Sequence, residues 1–157
     1  MKVACWWIGK TSTPYLREGI EEYHKRLKHY LPFDTLCIPD IRRAGKMDPE
    51  QLKAREAELV LQRLGPEDHL ILLDEGGRQY SSEEFAVRLD QLFQRSSRRL
   101  IFLVGGAYGF SDALYSRANG QLSLSTMTFS HQMIRLFFLE QLYRGMTILR
   151  NQPYHNS

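Results

Sequence analysis

Two short stretches of this 157-residue chain place polar or flexible residues directly after an apolar run, LLDEGG at 72–77 and LVGGAYG at 103–109, and a third, LSLSTMTF at 122–129, alternates hydroxyl residues with apolar ones. In open parallel sheets, ligands gather beyond the carboxyl ends of the strands, so three such turns are candidate walls of one site. The glycine turn lacks the dinucleotide fingerprint and comes late in the chain. It also lacks the lysine and hydroxyl of a triphosphate-binding loop. The alternative is a cofactor that carries adenosine without phosphate. Asp74 and Glu75 are a candidate acid–base pair, although a carboxylate at a strand end equally binds a ribose or caps a turn. His131, ahead of the last apolar segment, reads as a local structural group slightly before a chemical one. Three closely grouped histidines are lacking, so no metal site is expected.

The elements that must position these turns follow from periodicity. VACWWI (3–8) is a run of β-formers, and FDTLCIP (33–39) reads as a second strand. HLILL (69–73) and RLIFLV (99–104) are the third and fourth. Between them lie helical patterns. Thr13 and Pro14 open one that carries Leu16, Ile20, Tyr23, Leu27 and Tyr30 at helical spacing. Asp48, Pro49 and Gln51 start a second, Ser81 and Glu84 start a third over 81–96, and Ser111 caps a short one. Strands that are apolar nearly throughout, separated by helices, define an α/β domain with a mostly parallel sheet covered on both faces. The glycines of LLDEGG are expected to make a sharp turn. The last helix, about 130–149, is apolar on several sides, so it must be buried on several sides, and one of those is expected to meet a second subunit.

Composition narrows the class. A chain of this length forms one domain (1–157) by default, and no Pro, Gly or Ser tract serves as a linker. The net charge of +3 and pI near 8.9 are compatible with a polyanionic partner. The N-terminal apolar run is too short for a signal peptide, and charges interrupt the longest apolar region, so no membrane association is expected. Cys5 and Cys37 show neither framework nor metal spacing. Both are expected to be buried free thiols, which points to the cytoplasm.

Taken together, LLDEGGRQYSSEEFA, FLVGGAYGFSDAL and LSLSTMTFSHQMIRLFFLEQLYRGMTILRNQPYH resemble the RlmH family of ribosomal RNA methyltransferases, of the knotted SPOUT superfamily. The resemblance runs from MKVACWWIGK to the last residues. It implies methyl transfer from S-adenosyl-L-methionine to N3 of a pseudouridine in 23S ribosomal RNA, by a homodimer acting on the assembled 70S ribosome. It further implies a C-terminal trefoil knot, which ordinary topology rules would have pruned away. The cofactor would be surrounded by Leu73, Gly105 and the run Leu124, Ser125, Thr126, Met127, Thr128 and Phe129. Two departures bear on the rim of the site: the glycine turn reads GGAYGF where a small residue and Gly-Leu are common, and DEGG stands where a lysine often follows a single glycine.

The chemistry implied is undemanding in groups but strict in geometry, because nitrogen, methyl carbon and sulfur must approach a line. N3 of pseudouridine carries a proton between two carbonyls, and that proton must leave. His155 is the candidate acceptor, because an imidazole titrates near neutral pH; the rival reading is a tail that only orders against RNA while solvent takes the proton. Tyr154 is placed to stack on or bound the base. Arg135, Arg144 and Arg150 are assigned to RNA backbone or interface pairing. The alternative to an enzyme is a non-catalytic RNA-binding or ribosome-assembly protein, which needs no cofactor pocket.

Overall fold

Alternation within each strand, hidden by the continuous apolar composition, sorts the side chains to two cores. Val3, Cys5 and Trp7 face one, with Leu100, Phe102 and Val104 beside them; Ala4, Trp6 and Ile8 face the other, with Ile101 and Leu103. The computed structural model, which describes residues 1–95 and 97–156, contains five strands, all parallel, in the order β2-β1-β4-β3-β5. These are β1 (Lys2–Ile8), β2 (Phe33–Ile38), β3 (Asp68–Gln79), β4 (Arg99–Val104) and β5 (Gly120–Ser123). Helices α1 (Pro14–Lys28), α3 (Ser82–Phe93) and α5 (Met133–Leu149) cover one face, and α2 (Pro49–Leu61) with α4 (Asp112–Arg117) the other. The expected third helical stretch closes on Ser96, which, like Ser157, lies outside the described residues.

Local signals set the helix starts. Asp48 and Gln51 form a reciprocal capping box on α2, as do Ser81 and Glu84 on α3, each satisfying two otherwise orphaned amides. Loss of such a cap costs roughly 1 kcal/mol. Thr13 and Ser111 hold the cap positions of α1 and α4 with extended backbone, but their side chains make no capping hydrogen bond. α5 starts at Met133, three residues later than the pattern suggested.

Register places the site. Trp7 pairs with Val104, Val104 with Leu73, and Leu73 with Leu122, so β1, β4, β3 and β5 reach the same level side by side. LLDEGG does not end its strand. β3 pairs with β5 through Leu73, makes a four-residue excursion, and resumes at Arg78, which also pairs with Leu122. The excursion juts from the carboxyl edge. From β5, at the sheet margin, the chain passes along this edge and returns as α5, packed against both α1 and α3.

One expectation about the thiols fails. Cys5 is buried in the sheet, and burial pushes its thiol up to about 12. Cys37 is exposed, because β2 is an edge strand whose outer residues no helix fully covers.

Candidate active site

A cavity of about 580 Å³ opens at the carboxyl edge, enclosed by the excursion of β3, the glycine turn after β4 and the segment after β5. Its volume lies within the roughly 300–1,000 Å³ range of small-molecule sites. Leu73, Leu124, Met127 and Phe129 form apolar wall, with Val104 and Ile134 added by the fold. Gly105, Gly106 and Ala107 bring bare backbone to the opposite side. Gly109 closes that turn at φ +80, a left-handed conformation that glycine adopts without steric cost, and donates its N–H to the Gly106 carbonyl at 3.3 Å.

The polar lining favours a ligand without phosphate. Asp74, Glu75 and Asp112 border the cavity, and their negative charge opposes an anion while suiting a cation with hydroxyl groups. Asp74 is held from two sides: Tyr115 donates its hydroxyl at 2.7 Å and the Gly76 amide donates at 3.0 Å. Burial, then the bond to Asp74, pushes the Tyr115 phenol up to about 12, so it remains a donor. His131 also borders the cavity. Burial and the charge of Arg135 lower its pKa and keep the ring neutral. An adenosyl sulfonium fits this set of apolar wall, bare backbone and carboxylates.

Six of the eight residues that the resemblance assigns to the cofactor border the cavity. Leu73, Gly105, Leu124, Ser125, Met127 and Phe129 border the cavity, whereas Thr126 and Thr128 are exposed and do not. The cause is local: Ser125 accepts the Met127 amide through its hydroxyl at 3.0 Å, a serine turn that carries Thr126 to the outside. Missed from sequence were Val104, Ile134, Tyr115 and Lys53. Nothing in the spacing of α2 marks Lys53; it borders the cavity only because α2 packs beside the glycine turn.

Behind that turn sits Glu56, only 6% exposed, whose carboxyl would lie 2.6 Å from a Cβ on Gly106. Burial, with Asp40 adding to it, pushes its pKa up to about 7. A carboxyl raised in the folded state binds its proton there before the unfolded chain does. Stability therefore falls as pH climbs from the usual carboxylate range to about 7. Glu56→Gln should remove that decline and raise stability near pH 8 by on the order of 2 kcal/mol, read by urea unfolding across pH. A variant whose pH profile parallels the parent's would show that Glu56 does not titrate there.

Arg135 is not available to RNA. It is 0% exposed, and its guanidinium donates to the carbonyls of Ile8 (2.8 Å), Gly9 (2.8 Å) and His131 (3.0 Å) and to the Thr11 hydroxyl (2.9 Å). It also lies over the Trp7 ring. The residue pins the start of α5 to the loop after β1, where Gln132 accepts from the Ser12 amide and donates to the Lys10 carbonyl.

Arg144 is half-buried, paired with Glu140 at 2.7 Å and with His155 at 3.0 Å. Arg150 is exposed and donates to the Tyr30 carbonyl at 2.8 Å. Tyr154 and His155 are packed beside α5 and do not border the main cavity. A second, more apolar cavity of about 490 Å³ shares Leu122, Ser123, Leu124 and Phe129 with the first and ends at Glu140, the partner of Tyr154.

A parallel α/β sheet whose C-terminal segment crosses the carboxyl edge and forms a wall of the cleft defines an open α/β fold of the ligand-binding class. Comparison with known proteins narrows it. A family profile described as "Predicted SPOUT methyltransferase" matches residues 1–155. The chain is 51% identical over 156 residues to ribosomal RNA large subunit methyltransferase H of Cytophaga hutchinsonii, covering 99% of this chain and 100% of that one. It is 50% identical over 156 residues to the protein of that name from Parabacteroides distasonis, covering 99% of each. Identity is also 50% over 149 residues, 95% of each chain, to the one from Flavobacterium johnsoniae. The chain belongs to the SPOUT methyltransferase family, and its fold is that family's α/β knot.

Proposed function

We propose that this protein transfers a methyl group from S-adenosyl-L-methionine to N3 of a pseudouridine in 23S ribosomal RNA, as a homodimer acting on the 70S ribosome. The observation that carries the reading is the cavity at the strand carboxyl edge, with apolar walls, bare glycine backbone and carboxylates but no phosphate cradle. Bound there, the cofactor supplies an electrophilic methyl on a sulfonium. The chain's own residues supply position. Leu73, Leu124, Met127 and Phe129 offer a slot for a flat base, and the backbone at Gly105 and along 124–129 offers directional polar contacts. Asp74, fixed by Tyr115, is placed to accept from a ribose hydroxyl, and the carboxylates together favour a cationic centre nearby.

For the second substrate, Tyr154 bounds the base and His155 takes the N3 proton. Arg150 and, once free of its partners, Arg144 meet phosphates. The homodimer is proposed to use α5, where Met133 and Phe137 are exposed and the Phe129 ring packs tilted against Phe137 with centroids 5.2 Å apart. A cytoplasmic location goes with this reading, since the substrate is there.

The test is incubation of ribosomes lacking the modification with the protein and labelled cofactor, followed by mass spectrometry of the RNA. One methyl on N3 of a single pseudouridine is expected. Binding to ribosomes without transfer would support a non-catalytic assembly role instead.

A further inference from the structure

The C-terminal tail is held by side chains from three helices at once. Tyr154 donates its hydroxyl to Glu140 at 2.9 Å and accepts from the Tyr23 hydroxyl at 2.9 Å, because a carboxylate can only accept. Its ring lies edge-on to Tyr143 at 4.8 Å and under the Arg144 guanidinium at 4.9 Å. Gln152 adds its amide to the Thr147 carbonyl, and Tyr30 donates to the Gln152 side chain.

His155 is bracketed in a way that fixes its chemistry. Nδ1 lies 3.0 Å from an Arg144 guanidinium nitrogen, and Nε2 lies 2.8 Å from a Glu83 carboxylate oxygen. Arginine has only donors, so Nδ1 must present its lone pair; a carboxylate has only acceptors, so Nε2 must carry the hydrogen. These contacts define one tautomer, with the hydrogen on Nε2 and the lone pair on Nδ1. A general base needs a lone pair open to the incoming proton. In the docked ring Nδ1 is covered by a cation and Nε2 has no lone pair to give. The groups bonded to the ring are Glu83 from α3 and Arg144 from α5; Arg144 is held in turn by Glu140, which also accepts from Tyr154, itself bonded to Tyr23 of α1. The bond from His155 is the largest influence lowering the Glu83 pKa, which keeps Glu83 an acceptor.

We propose that Glu83 and Arg144 form a latch that stores the C-terminal tail with His155 unable to take a proton, and that the tail leaves Glu83 before His155 acts. The proposal rests on the role given above to His155. Release exchanges hydrogen bonds and makes or breaks no covalent bond: Glu83 returns to water, Nδ1 becomes free, and Arg144 exposes donors that fit a phosphate in the same fork geometry. An RNA backbone therefore competes for the guanidinium that blocks the base, which couples tail release to the arrival of substrate.

The latch is testable in the full-length protein without RNA. In histidine-labelled protein at neutral pH, nitrogen NMR should show His155 with Nε2 protonated and Nδ1 bare. Glu83→Ala removes the acceptor and should give the averaged pattern of a free imidazole. Glu83→Gln keeps an acceptor oxygen and should restore the single tautomer. An averaged pattern in the parent protein, or an unchanged one in Glu83→Ala, overturns the latch. In single-turnover methylation of unmodified ribosomes, Glu83→Ala should react at least as fast as the parent. A loss of roughly tenfold in the single-turnover rate at saturating enzyme and cofactor would overturn the proposal by placing Glu83 in the chemistry. A parent protein that methylates nothing would refute the proposed function, while the tautomer measurement would still decide the latch.

Discussion

Gly77→Ala should give a protein that binds S-adenosyl-L-methionine weakly or not at all and unfolds at a clearly lower temperature. A Cβ at this position would sit 2.6 Å from the Leu122 nitrogen and 2.7 Å from the carbonyl carbons of Gln121 and Leu122. All three are backbone atoms of β5, held by pairing to β3 on either side of the excursion, so none can turn aside as a side chain would. The methyl must push the strands apart. Overpacking of this kind costs about 1–3 kcal/mol and sometimes more, which lowers Tm by several degrees in a chain of this size. The displaced strand carries Leu122, Ser123 and Leu124 into the cavity wall, so affinity should fall at least tenfold along with stability. Gly76→Ala is the control, since its nearest neighbour is the movable Asp74 side chain at 3.1 Å. Thermal unfolding and calorimetric titration read both effects; equal Tm and equal affinity for Gly77→Ala would refute the close approach.

Arg135→Met should lose stability, and the loss should not depend on RNA. The substitution keeps much of the apolar stem but removes the donors that serve three carbonyls and the Thr11 hydroxyl in a site without solvent. Each buried acceptor left without a partner costs about 1–3 kcal/mol, and partial relaxation brings the expected total to about 4 kcal/mol. Arg135→Lys should fall between, because one compact ammonium cannot span carbonyls that a planar fork reaches together. Urea unfolding measures this directly. Had Arg135 been a phosphate contact, stability would be unchanged and only the salt dependence of RNA binding would move.

The two variants also mark where the sequence was legible. Gly77 was visible as a glycine in a turn after a strand, but its actual role depends on where β5 lies, and pairing between residues 77 and 122 leaves no local trace. Arg135 was visible as a charge in an apolar helix. Whether it served solvent or interior depended on the loop from Ile8 to Thr11, more than a hundred residues away, whose free carbonyls receive it. Thr126 and Thr128 stand outside the cavity for a smaller reason: alternation along an irregular segment is set by its own turn, here the bond from the Met127 amide to the Ser125 hydroxyl.

By itself the sequence determined what is encoded locally or in ordered blocks. Strand and helix order followed from apolar runs and period, the starts of α2 and α3 from capping boxes, and the three-walled site from polar residues placed after strands. The full-length resemblance determined the family. Only the tertiary structure decided the register that levels Trp7, Val104, Leu73 and Leu122, the return of α5 between α1 and α3, and the burial of Arg135. It also decided the docking of His155 between Arg144 and Glu83. These depend on contacts between residues far apart in the chain, whose energies are set by which donor meets which acceptor and which backbone lies against which. No window of sequence contains both partners of such a contact.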